Sequence, residues 1–379
     1  MRRIDELAPE AERERAPVLR VMRFLHGYAR HPHQPVVEEE VTLEVDGVQV
    51  EGTVIRPGRN GVWPGWIILH GITVPGRHHL ALKRFARSVA STGGLVLIPD
   101  VPAWRELRID PSAADHTIQA AAGYLRQRPD VDPEDVRLVG FSFGATQALI
   151  SSTRPHVREA VQTVVGFGGY CDLRRTVLCN LTGEHEWEGR VYRLQPDPYG
   201  RWIVAGNYLT RIPGYEGYEP VARAAHRLAM ESGIVGAMAW DPVYDATKAR
   251  LRESIPEEQR PVWDLLAPPA GTMPPMEPAR SFAEDLAAAM LATHPELDPA
   301  PVLPAVDRRV VLAHGYDDRL IPFTEMLRLR ERVPPRASLF SEVTRLFAHS
   351  TEAEGLRAWE YPGEAGRYLR LLNRVLGRG

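Results

Sequence analysis

The stretch RPDVDPEDVRLVGFSFGATQALISS, residues 128–152, decides how this chain is read. Its middle, VRLVGFS from Val136 to Ser142, is a short apolar run bounded by Pro and Asp on one side and Gly on the other, the pattern of a buried strand. Ala145 to Ser152 is small and apolar and predicts a helix. Between them Gly140-Phe141-Ser142-Phe143-Gly144 has the form G-x-S-x-G. Glycines two before and two after the serine let a strand-to-helix turn close sharply and lift the hydroxyl out of it. The bare pattern arises by chance in roughly one chain in ten of this length. The strand before it and the helix after it therefore carry the inference.

Working outward, WIILHG (Trp66 to Gly71) and LVLIPD (Leu95 to Asp100) are further buried strands, separated by a helical stretch through Leu82, Phe85 and Val89. Asp110 as cap and Pro111 at the first helical position open another helix, running to about Arg128. VQTVVGFGG (Val161 to Gly169) is the next strand. Alternating strands and helices predict an α/β protein, a mostly parallel sheet with helices on both faces. Ahead of this core, VTLEVDGVQVEGTVIRP places Asp46-Gly47 between two β-branched runs and predicts an antiparallel hairpin. Residues 1–35, with an apolar pattern from Ile4 to Arg30, predict a helical extension laid on the core.

The alternation stops after Gly169. Residues 171–305 are rich in proline and aromatics, with helical patches such as Pro220 to Met230, and predict an inserted, mainly helical cap whose Ala267–Pro278 segment is a loop between two helices. RVVLAHG (Arg309 to Gly315) restores the strand pattern. The strand-like EVTRLFA (Glu342 to Ala348) and a terminal helix with Tyr368, Leu369, Leu372, Val375 and Leu376 on one face follow. The core is thus expected at 36–170 and 306–379.

A serine hydroxyl is a weak nucleophile near neutral pH and needs a base held in place by a third group. The order of elbow serine, an acid after a later strand, and a histidine after the last strand resembles the α/β-hydrolase family. His314-Gly315-Tyr316-Asp317-Asp318-Arg319-Leu320-Ile321-Pro322 resembles that family's H-G-x-x-D-x-x-(V/I)-P stretch. The resemblance covers the core and not the cap, and implies the α/β-hydrolase fold with Ser142, Asp318 and His349 as triad. Asp317 is an alternative acid if the turn is shifted by one residue. Asp172, just past the Val161–Gly169 strand, is another, since some members carry the acid there. Among thirteen histidines, His349 stands apart by its position after EVTRLFA.

An oxyanion developing on the attacked carbonyl requires preorganised N–H donors. Elbow geometry points to the Phe143 amide, and the resemblance implies the Ile72 amide in His70-Gly71-Ile72-Thr73. His70 reads as structural, His78 and His79 as a solvated helix start, and Asp100 as a carboxylate that organises its loop. The hairpin entry and residues 128–145 also resemble dienelactone hydrolases, acetyl esterases and prolyl-oligopeptidase-type catalytic domains. The expected function is a serine hydrolase that cleaves a carboxylic ester of an apolar small molecule through an acyl-enzyme. Peptidase or amidase action, thioesterase action, and ligand binding without catalysis are the alternatives; no propeller-sized domain precedes the core.

Composition narrows the rest. The net charge of −3 over 379 residues does not suggest nucleic acid as a partner, although only Lys83 and Lys248 among 46 basic side chains are not arginine. No apolar run approaches the ~20 residues of a membrane span and the charged start lacks a leader's apolar stretch, so a cytoplasmic location is expected. Cys171 and Cys179 read as free, partly buried thiols. His185-Glu186 lacks the second histidine of a zinc helix, Gly166–Gly169 lacks a dinucleotide fingerprint, and neither metal nor cofactor is expected.

Overall fold

A computed structural model of the chain describes residues 10–346 and 361–377. Helix α1 (Glu10–Ala29) precedes a hairpin of β1 (Val36–Val45) and β2 (Val48–Pro57). Asp46 and Gly47 both have positive φ, 51° and 77°, the turn whose twist matches that of paired strands. There follow β3 (Trp63–Leu69), α2 (Leu80–Ser91), β4 (Leu95–Pro99), the short α3 (Pro102–Arg105), α4 (Pro111–Arg126), β5 (Val131–Phe141), α5 (Phe143–Ser151), α6 (Pro155–Ala160) and β6 (Thr163–Phe167). Asp110 caps α4 as its Asp-Pro start predicts, accepting from the Ser112 amide.

After β6 come α7 (Leu173–Thr182), a small hairpin of β7 (Glu184–Trp187) and β8 (Arg190–Arg193), then α8 (Pro198–Tyr208), α9 (Glu219–Val235), α10 (Asp245–Glu253), α11 (Arg260–Leu266) and α12 (Met276–Thr293). The chain then returns through β9 (Arg309–Gly315), α13 (Thr324–Arg332), β10 (Leu339–Thr344) and α14 (Tyr361–Leu376). The eight-stranded sheet has the order β1-β2-β4-β3-β5-β6-β9-β10. Only the β1–β2 and β2–β4 pairs are antiparallel.

Period-two burial puts helices on both faces of this sheet. Ile67, Leu69, Leu95 and Leu97 enter one cluster with Ile118 of α4, Leu149 of α5 and Leu329 of α13. Trp66, Ile68, Val96 and Ile98 enter the other with Phe24 of α1, Phe85 of α2 and Leu372 of α14. Each such fully buried side chain contributes about 1.5–3 kcal/mol. A third cluster, built from the helices between β6 and β9, contains Trp202, Tyr208, Tyr244 and Trp263.

Several details depart from expectation. Strand β10 runs from Leu339 to Thr344, starting three residues before the expected Glu342, because its parallel ladder with β9 begins at Leu339↔Val310 and ends at Thr344↔Gly315; Phe347 and Ala348 of the expected strand lie outside the described residues. On α14 Tyr368, Leu372, Val375 and Leu376 face the core as expected and Leu371 joins them, while Leu369 is 42% exposed. The region between β6 and β9 is mainly helical as expected, with one small addition: Glu188 and Gly189, with φ of 49° and 76°, close the β7–β8 hairpin. Both cysteines are free and buried, and burial pushes the Cys171 thiol up to about 12.

Candidate active site

Strand β5 delivers Ser142 at the edge of the sheet with φ 55° and ψ −127°, a combination that L-residues avoid and that costs about 1–3 kcal/mol. Two hydrogen bonds hold it there. The Ser142 amide donates to the Phe167 carbonyl of β6 at 2.7 Å, and its own carbonyl accepts from Ala145 at 2.9 Å, starting α5. The flanking glycines are required by contact. A Cβ on Gly140 would stand 2.1 Å from the Gly144 carbonyl oxygen, and one on Gly144 would stand 2.5 Å from the His70 carbonyl oxygen. Gly140→Ala is therefore expected to cost about 3 kcal/mol or more in urea unfolding. Gly123→Ala in α4, where a Cβ meets nothing within 4 Å, should be neutral or slightly stabilising.

The turn after β3 passes directly against the serine. A Cβ on Gly71 would lie 3.1 Å from the Ser142 Cβ and 3.6 Å from its Oγ. Ile72 follows Gly71. Phe143 is the first residue of α5, so its amide lacks an intrahelical acceptor and sits at the positive end of the helix. Ile72 and Phe143 are half-buried and pack against both the cluster of the helical insertion and one cluster of the sheet.

His70 shapes that turn from below. Its ring is fully buried; Nδ1 lies 2.7 Å from the Gly71 carbonyl and Nε2 accepts from the Val101 amide at 3.1 Å. An amide N–H can only donate, so Nε2 is the acceptor and Nδ1 carries the proton. Burial lowers the pKa of this imidazole and keeps it neutral, although Asp100 Oδ1 is 3.6 Å from Nε2. Its edge contact with Trp104, which in turn meets Phe143 at 5.2 Å between centroids, links the turn to the elbow. Asp100 is buried beside Arg77 and Arg105, with Arg105 Nη1 at 2.7 Å, and joins the loops after β4 and β3. His78 closes a single helical turn before α2.

The turn after β9 holds Asp318, which is 1% exposed. One carboxylate oxygen accepts from the Leu320 and Ile321 amides at 2.9 and 3.0 Å. The other is 3.4 Å from His314 Nε2, which itself lies 2.8 Å from the Ile321 carbonyl. Asp317 is exposed. Asp172 caps α7, accepting from the Arg175 amide at 3.1 Å. The structure thus brings Ser142, the Gly71–Ile72 turn and the Asp318 turn to the same, carboxyl-terminal edge of strands β5, β3 and β9, where open α/β sheets place their sites. His349 lies outside the described residues.

Sequence reasoning passed over some neighbours of this edge. Asp197-Pro198 has the same cap signature as Asp110-Pro111 and starts α8, with the Asp197 amide donating to the Arg319 carbonyl at 2.9 Å. Glu325 is buried on α13 and accepts from the Cys171 and Asp172 amides at 3.1 and 2.8 Å. Burial pushes its carboxyl up to about 7 from an ordinary 4.5. A raised folded-state pKa means the folded chain holds the extra proton between those values. That stabilisation is present below about 4.5 and is lost as pH rises through about 7. Urea midpoints of wild type minus Glu325→Gln should therefore fall from pH 5 to pH 8. A recess between α7, the β7–β8 hairpin, α12 and α13 is lined by Arg175, His185, Arg280, Thr324 and Arg328 among others, and by neither Ser142 nor Asp318. No helix among the described residues is long and apolar enough to cross a membrane.

The sheet order, the helices on both faces, the elbow and the helical insertion define the α/β-hydrolase fold. Comparison with solved structures gives the same fold: brefeldin A esterase, a bacterial homologue of human hormone sensitive lipase, superposes with a TM-score of 0.50 at 15% identity over 95% of this chain and 85% of that one. A 2,6-dihydroxy-pseudo-oxynicotine hydrolase gives 0.48 at 17% identity over 98% and 76%. The acylaminoacyl peptidase of Pyrococcus horikoshii gives 0.49 at 11% identity over 93% of this chain, which spans only 42% of the peptidase. No family model and no curated protein matches the sequence.

Proposed function

We propose that this chain is a serine hydrolase in which Ser142 attacks an ester carbonyl, with His349 as base and Asp318 as the carboxylate that orients it. The observation that carries the reading is the strained Ser142 backbone, held at φ 55° directly against the Gly71–Ile72 turn. Strain of this kind persists only where surrounding structure over-determines it, and here the serine side chain is held against the Gly71–Ile72 turn. In the proposed cycle His349 takes the Ser142 proton and the amides of Ile72 and Phe143 stabilise the oxyanion. The alcohol leaves, and water activated by the same imidazole releases the acid.

The substrate class rests on the side chains that pack between the elbow and the helical insertion. Trp202, Trp263, Tyr208 and Tyr244 are buried in the insertion's own core and do not support an aromatic pocket. Half-buried Ile72, Phe143, Tyr199 and Leu320 pack against that core and favour an apolar acyl group. A series of p-nitrophenyl esters from acetate to palmitate tests this. A serine-dependent rate with an optimum at intermediate chain length is expected. Folded protein that cleaves no member of the series, but cleaves an anilide or a thioester, would replace the ester assignment.

A further inference from the structure

We propose that Arg319 is a specificity residue that receives a carboxylate on the substrate, so that the preferred esters carry an anionic group besides the reacting bond. This rests on the serine hydrolase reading above.

Arg319 follows Asp318 on the turn after β9, and its carbonyl accepts from the Asp197 amide at the start of α8. Its backbone is thus pinned between the acid turn and the helical insertion. The guanidinium lies over the ring of Trp240, 4.7 Å from the centroid, on the segment joining α9 to α10. The residue next to it, Leu320, packs on the same cluster as Ile72 and Phe143.

An arginine keeps its charge at any working pH, and partial burial makes an uncompensated charge costly. Among the described residues other shielded guanidiniums have carboxylates or carbonyl acceptors: Arg137 pairs with Asp135, Arg77 with Asp100, and buried Arg201 donates to the Leu266 carbonyl at 2.7 Å. Half-buried Arg319 has neither a carboxylate within 4.0 Å nor a hydrogen-bond acceptor for its guanidinium among the described residues, and its ring contact there is with Trp240. Stacking occupies the face of a guanidinium and leaves its N–H edges free for the bidentate geometry that carboxylates match. A latch between insertion and core would explain the stacking and would leave that edge without a purpose.

The test compares two esters with the same reacting bond, methyl hydrogen adipate and dimethyl adipate, by methanol release near neutral pH. In wild type the monoanion is expected to have the higher kcat/KM. Arg319→Gln should lower the monoanion-to-diester ratio about tenfold or more, carried by KM of the monoanion, with Arg319→Lys between them. A latch predicts equal losses on both esters, and an unchanged ratio overturns the proposal. If wild type cleaves neither ester, esterase action on these substrates fails separately, and calorimetric binding of methyl hydrogen adipate decides. Binding lost in Arg319→Gln supports the proposal; no binding by wild type, or equal binding, overturns it. Arg319→Lys serves alone if the glutamine variant does not fold.

Discussion

Ser142→Ala should reduce kcat on any ester this chain hydrolyses by about four to six orders of magnitude, leaving only the rate that bound water and the oxyanion donors support. The loss should appear in kcat with little change in KM, because the hydroxyl forms its bond only after substrate is seated. Stability should barely move, since alanine meets the same strained φ of 55° that serine does. Ser142→Gly separates the two effects. Glycine tolerates that backbone, so the variant should be inactive and yet about 1–2 kcal/mol more stable than wild type in urea unfolding. A glycine variant no more stable than the alanine one would remove the argument that strain is stored at the elbow.

Asp318→Asn is expected to lower kcat by about three to four orders of magnitude, while Asp317→Asn stays within about threefold of wild type. The contrast follows from placement. Asp318 is sealed behind the β9 turn with two amides fixing one oxygen, which leaves the second to act on neighbouring groups, whereas Asp317 faces solvent. An asparagine can keep the two amide bonds but must turn its NH2 towards His314 Nε2, which already lies 2.8 Å from the Ile321 carbonyl as a donor. Donor against donor in a buried site should cost about 1–3 kcal/mol of stability besides the catalytic loss. Asp172→Asn keeps its role as helix cap and should leave kcat within about threefold of wild type. A large loss there would move the acid to the end of β6.

Much of this architecture was legible because local chemistry and tertiary demand agree. Residues 136–152 form a strand, a turn and a helix because an apolar run, two glycines in backbone contact and a small-residue stretch occur in that order. Asp46-Gly47 and Asp110-Pro111 did what those dipeptides do in isolation. The failures have a common cause in partners distant along the chain. Strand β10 is set by its ladder with β9, which begins at Leu339, three residues before the apolar pattern suggests. Leu369 loses its place to Leu371 because α14 packs on α1 as well as on the sheet. The β7–β8 hairpin carries its signal at Glu188-Gly189, but polar strands of four residues show no alternation to accompany it. Nor does a tryptophan announce whether it lines a pocket or fills a core, and Trp202 and Trp263 do the second.

Within the candidate site, the backbone-determined parts were readable and the electrostatic ones were not. Glycine spacing points to the elbow because sterics are local. That His70 would be a neutral strut under the Gly71–Ile72 turn depends on Val101, thirty-one positions away, and that Glu325 would be buried beneath Cys171 and Asp172 depends on α13 docking after the insertion. The free edge of Arg319 likewise exists only once the segment bearing Trp240 has folded over it.

The most direct test of the central claim is covalent capture of the nucleophile. Wild type and Ser142→Ala would each be treated with an alkyl fluorophosphonate, then weighed intact and mapped by peptide mass spectrometry. One adduct per wild-type chain, on the peptide that contains Ser142, and none in the alanine variant, is the predicted result. An adduct on a different serine, or an unlabelled protein that still cleaves esters, would contradict it.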